Sequence, residues 1–137
     1  MPKLAKNQLI QIAQDLHDLA VTVAQFRLDR IHAGTPLTDP GIVQLLGLQW
    51  NLTNLSGSFY VQAAKVILDD ADKAAAQVGG ATKAANDAIK KITIVNKVLT
   101  IGSAVALVVA AVMTGQLNQV VSAATGVYKA IANGSGS

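Results

Sequence analysis

Residues 98–113, VLTIGSAVALVVAAVM, run sixteen positions without a charge or a proline, and Thr100 and Ser103 carry their only hydroxyls. A helix of that make-up has no charged side to turn to water, so either the rest of the chain covers it or a bilayer does. No other feature limits the possible folds as much. Eight Val, Leu and Ile side chains between Val98 and Val112 contribute roughly −2.5 to −5 kcal/mol toward membrane insertion on a per-residue scale. Gly102, Ser103 and Thr100 subtract from that sum. Extending the segment back to Ile92, to reach a full bilayer thickness, takes in Asn96 and Lys97, and a lysine at a helix centre costs about 2.5–3.5 kcal/mol. Insertion is therefore marginal, which suits a chain that is soluble first and enters lipid conditionally, or one that keeps the segment buried.

The 137 residues supply the cover: a single domain of this length buries roughly two thirds of its unfolded surface. Charged residues make up 14%, well below the usual share of about 25%. Aromatics are scarce and Ala and Val abundant, a mix that favours close helix packing over a sheet. Cysteine and glutamate are both absent, so all eight acids are aspartates, and disulfides, thiol chemistry and cysteine-type zinc sites are excluded. The net charge of +3 is spread thinly rather than massed, which argues against nucleic acid as a partner. Lys3, Lys6, Asp15, Asp18, Arg27, Asp29 and Arg30 interrupt the first thirty residues, so no cleavable signal peptide is expected.

Apolar residues at Leu9, Ile12, Leu16, Leu19, Val23 and Phe26 follow helical spacing and predict a long first helix over residues 4–31. The stretch HAGTPLTDPG, residues 32–41, is the clearest loop: Gly34 suits a helix end, and Thr38 or Asp39 before Pro40 suits a new start. A second helix is expected over residues 42–78, with a possible kink at Ser56, Gly57 and Ser58. Gly79 and Gly80 followed by Thr82 read as a hairpin turn and a new cap. A third helix is then expected over residues 81–114 and, after a break at Gly115, a shorter fourth over 116–132. The predicted fold is all-α: an antiparallel bundle of three long helices plus a shorter C-terminal one, in a single domain over residues 1–133. Gly134, Ser135, Gly136 and Ser137 read as a flexible tail or linker.

Charge placement is the most informative pattern. No charge lies between Asp39 and Lys65 or between Lys97 and Lys129, whereas residues 65–97 are crowded with them. A hairpin turning at Gly79 and Gly80 has a charged tip and an uncharged base. Each uncharged arm, at 1.5 Å per residue, spans roughly 35 Å, close to a hydrocarbon core of about 30 Å. Gln44, Gln49, Asn51, Asn54 and Gln62 make the second arm amphipathic, leaving the third as the one apolar on every side. Within it, Val98, Leu99, Ile101, Gly102, Val105, Ala106, Leu107, Val109, Ala110 and Val112 are the candidates for membrane insertion or oligomer packing. Gly102, Ala106 and Ala110 recur every four residues, a spacing that lets helix backbones approach in a membrane, an oligomer or a tight bundle. Lys83, Lys90 and Lys97, seven residues apart, are expected on one helix face, either touching lipid headgroups or simply solvated.

Candidates for chemistry are few. In DLHD, residues 15–18, adjacent helical positions diverge by about 100°, so His17 and its neighbours do not converge on a metal. The di-iron bundle pattern requires Glu. DDADK, residues 69–73, resembles an acidic metal-binding run, but its spacing differs and no second acidic cluster exists to share an ion; an exposed, charged tip is the expectation. Asn51 and Asn54 each open a glycosylation sequon inside a predicted helix. Trp50, Phe59 and Tyr60 belong either to the core or to a membrane interface. No catalytic residue, metal, cofactor or small-molecule substrate is predicted, and the chain does not read as an enzyme.

In outline, a cysteine-free set of long helices sheltering an all-round apolar segment resembles the α-helical pore-forming toxins. The resemblance implies a soluble form, release of the third helix on contact with lipid, and homo-oligomerisation through its small-residue face. The alternative is a non-enzymatic structural or adaptor protein whose helices pack into a homo-oligomeric assembly, with residues 98–113 buried permanently.

Overall fold

The computed structural model describes residues 2–135. Among them are five α-helices and no strand: α1 (Lys6–His32), α2 (Pro40–Ala63), α3 (Ala71–Ile89), α4 (Val95–Val112) and α5 (Leu117–Ser135). The first loop forms as its composition predicts. Gly34 adopts a φ of 108°, and the Asp39 carboxylate accepts from the backbone N–H of Gly41 and Ile42 ahead of a proline-started helix, the usual use of Asp at an N-cap and Pro at N1.

Elsewhere the boundaries move, so five helices replace the expected four. No turn forms at Gly79 and Gly80; both lie inside α3. Each interior glycine costs about 1 kcal/mol relative to alanine, and tertiary packing overrides that preference. A Cβ on Gly80 would lie 3.2 Å from the Tyr128 hydroxyl of α5, so the glycine lets the tyrosine approach. Thr82, expected as a cap, is buried and donates to the Val78 carbonyl. The second helix ends early, at Ala63, and the link that follows is tied to distant parts of the chain: Leu68 N–H donates to the Pro2 carbonyl and Asp69 N–H to the Gly115 carbonyl. Asp70 then caps α3 by accepting from Lys73 N–H. The third predicted helix divides at residues 90–94, where Ile92, Thr93 and Ile94 place three β-branched residues in succession and disfavour helix. Residues 56–58 lie within the continuous α2, where Ser56 donates to the Ala13 carbonyl of α1. Gly115 does break the chain, with φ 76°. Of the expected tail, Gly134 and Ser135 close α5, and residues 136–137 lie outside the described residues.

Specific contacts fix how the helices run. Ser56 on Ala13 and Arg27 on the Ile42 carbonyl make α1 and α2 antiparallel. By contrast, α1 and α3 are parallel and in register: Gln8 meets Asp72, Thr22 meets Asn86, and Arg30 meets the Thr93 carbonyl, at separations of 64, 64 and 63 residues. The α2–α4 pair also runs parallel, Gly41 lying against Val95 and Leu48 against Gly102. Lys97 Nζ donates to the Asn133 carbonyl and sets α4 antiparallel to α5. With α3 also touching α4 and α5, the result is two layers, α1–α3–α5 over α2–α4.

The core lies between the layers. Leu9, Ile12, Leu16, Leu19 and Val23 of α1 and Ile42, Leu45, Leu52 and Phe59 of α2 are buried with Val98, Ile101, Val105, Val108 and Val112 of α4 and Val120 and Val127 of α5. Central α3 contributes mostly small residues, Ala71, Ala74, Ala81 and Ala85, which let three neighbouring helices come close.

Candidate interaction face on the two-helix layer

The two layers separate the charge. α2 contains no charged residue and α4 contains only Lys97, which is half-buried and turned to α5 by its bond to Asn133. The outer surface of the α2–α4 layer is therefore uncharged over both helices. On α4 the solvent side is a stripe at alternating four and three residue steps: Asn96, Thr100, Ser103, Leu107 and Ala110. This corrects the expectation of a helix hidden around its whole circumference. The two hydroxyls fall on the outer stripe, where Thr100 also bonds the Asn96 carbonyl, and Leu107 is the one large apolar side chain there, 65% exposed.

On α2 the outward residues include Val43, Gly47, Trp50, Asn54, Gly57 and Val61. Val43, Trp50 and Val61 are 56%, 63% and 62% exposed, and their spacing puts them on one side of the helix. Between the two helices runs a shallow groove of ≈ 420 Å³ lined by Gln44, Gly47, Leu48, Asn51, Leu99 and Ser103. Trp50 is thus a surface residue and not a core one, Tyr60 is partly exposed, and Phe59 alone of the three is buried. The signal available for Trp50 was its place in a seven-residue series with Val43 and Gly57, opposite the buried Leu45, Leu48 and Leu52.

The predicted insertion residues divide by direction. Val98, Ile101, Gly102, Val105, Val109 and Val112 are buried, Leu99 and Ala106 are half-buried, and Leu107 and Ala110 face out. Gly102 is occupied within the chain: a Cβ there would sit 2.5 Å from Leu48 Cδ2, so the small residue serves the α2–α4 crossing. The three lysines do not share a helix face. Lys83 is within α3, Lys90 is its C-cap and Lys97 is on α4, because the break at 90–94 interrupts their seven-residue spacing.

The charged layer offers a second concavity. A groove of ≈ 1030 Å³ opens between α1 and α3, with Val21, Phe26, Ile89 and Ile92 below and His17, Asp18, Asp29, Arg30 and Lys90 around it. Arg30 lies over the Phe26 ring, 5.3 Å from its centroid. Among the described residues no group of three His, Cys, Asp or Glu is placed to hold a metal. The aspartates of DDADK are engaged in joining elements: Asp69 accepts from Leu117 N–H at the start of α5, Asp70 caps α3, and Asp72 accepts from Gln8 of α1. His17 and His32 are exposed. No protein-family model, curated protein or solved structure matches this chain.

Proposed function

We propose that this protein is a membrane-active, non-catalytic helical protein whose uncharged α2–α4 face meets lipid, where copies associate and α4 enters the hydrocarbon. One observation carries the reading: a whole face of a water-exposed layer is free of charge, and it displays Trp50, Val43, Val61 and Leu107. Exposed apolar side chains scattered singly are ordinary. Several on adjoining helices without an intervening charge form the kind of surface that covers itself with a partner or a bilayer, and an exposed tryptophan suits the headgroup boundary. Lipid is favoured over protein because α4 is the one helix among the described residues long and apolar enough to cross a bilayer.

A second reading keeps the same face and replaces lipid with a second copy. It is favoured by the four-and-three spacing of the outer α4 stripe, whose small Ser103 and Ala110 allow close helix approach. Vesicle leakage separates the two. Leu107→Asp puts a charge in the centre of the face without touching the core, so under the first reading it abolishes dye release from vesicles while leaving the helical content unchanged. Full leakage by the Leu107→Asp protein contradicts a role for this face. No leakage by the unaltered protein, together with a defined assembly by mass, selects the second reading.

A further inference from the structure

The α1–α3 contact carries side-chain pairs along much of its length. Gln8 bonds Asp72 and Thr22 bonds Asn86, and midway between them Asp15 faces Gly79 with no bond across the seam. The Asp15 side chain is only 6% exposed. Its Oδ1 accepts from Gln11 Nε2 at 2.9 Å, while its buried Oδ2 has no partner. Across from it, Gly79 leaves space, since a Cβ built there would meet nothing within 4 Å except Oδ2 itself, at 3.8 Å. A buried carboxylate oxygen without a donor lowers the stability of whatever contact encloses it. Further along, the two helices part to form the ≈ 1030 Å³ groove. There they are joined through Thr22 and Asn86 and through Arg30 on the Thr93 carbonyl. Between α2 and α4, Leu48 packs over Gly102 beside the shallow groove.

We propose that the α1–α3 seam is the line along which this fold opens, with the unpartnered Asp15 carboxylate opposite Gly79 as the wedge. Opening withdraws α1 from α3, whose inward residues are mostly alanine. α3 keeps its contacts with α4 and α5, but with nineteen residues and paired glycines it has little helical stability of its own, so loss of the seam registers as faster exchange of its amides. The seam parts in the same way whether lipid or a second copy meets the uncharged face.

Hydrogen exchange on the full chain, read by mass spectrometry, tests it. The amides of α3 exchange at least tenfold faster than those of α2 and α4. Gly79→Ser places a hydroxyl donor within reach of Asp15 Oδ2. It slows α3 exchange by roughly tenfold more than Gly79→Ala does, the factor expected of a hydrogen bond to a charged group. In this cysteine-free chain, a Thr22→Cys and Asn86→Cys pair oxidised to a disulfide removes the fast exchange of α3, and reduction restores it. Exchange of α3 no faster than that of α2 and α4, or α3 exchange unchanged by closing the disulfide, overturns the proposal.

Discussion

A single substitution, glycine to alanine, has opposite consequences at two positions of this chain because the surroundings differ. At Gly79 the backbone is helical and the added methyl meets only Asp15 Oδ2 at ordinary contact distance, so Gly79→Ala stabilises by about 1 kcal/mol through helix propensity. At Gly115 the φ is 76° and the new Cβ would lie 2.5 Å from the Ile67 carbonyl oxygen. Gly115→Ala therefore destabilises by about 1–3 kcal/mol, combining left-handed strain with a clash against backbone. Urea denaturation of both variants beside the unaltered protein reads the two signs directly; a loss of stability in Gly79→Ala, or none in Gly115→Ala, contradicts the local geometry. Neither sign follows from the sequence alone, where both glycines read as helix stops.

Helix ends were legible in the sequence at the first loop and at Gly115, whereas the paired Gly79 and Gly80, a punctuation mark of the same kind, lie inside α3. The first loop carried Gly34, Asp39 and Pro40, and α1, the start of α2 and the break at Gly115 fall as expected. Of the missed boundaries, the one at residues 64–70 is held by partners distant in sequence, the Pro2 and Gly115 carbonyls, whereas the one at 90–94 carried a local signal in Ile92, Thr93 and Ile94, with Arg30 bonding the Thr93 carbonyl. Asp70 was the available signal, an N-cap residue read instead as part of an exposed tip. Its removal in Asp70→Ala costs about 1 kcal/mol, with the loss of helical signal concentrated in α3; an unchanged melting curve contradicts the capping role. The direction of α4 residues was equally hidden, since sixteen uncharged positions give little to distinguish outside from inside. Val109 is buried and Leu107 exposed, so Val109→Asp costs more than about 3 kcal/mol by burying a charge, while Leu107→Asp changes stability by less than about 0.5 kcal/mol. Thermal unfolding of the pair tests the orientation, and equal losses contradict it.

On the scale of the molecule, the layering organises everything else. Charges that are merely clustered along the sequence become, after folding, a charged α1–α3 surface opposite an uncharged α2–α4 one. The sequence showed the uncharged runs but assigned them to the base of a hairpin, since the pairing of α2 with α4 is parallel and spans 54 residues between Leu48 and Gly102. Under the proposed function this uncharged face is the working surface of the protein. Trp50 is the only tryptophan in the chain and stands on that face, 63% exposed, so its fluorescence reports on the face without any label. Titrating dilute protein with lipid vesicles should shift the Trp50 emission to the blue, and Leu107→Asp should abolish the shift. A blue shift produced by protein concentration alone would transfer the face to self-association. Emission that stays that of a water-exposed indole with saturating lipid and at high protein concentration would contradict the account.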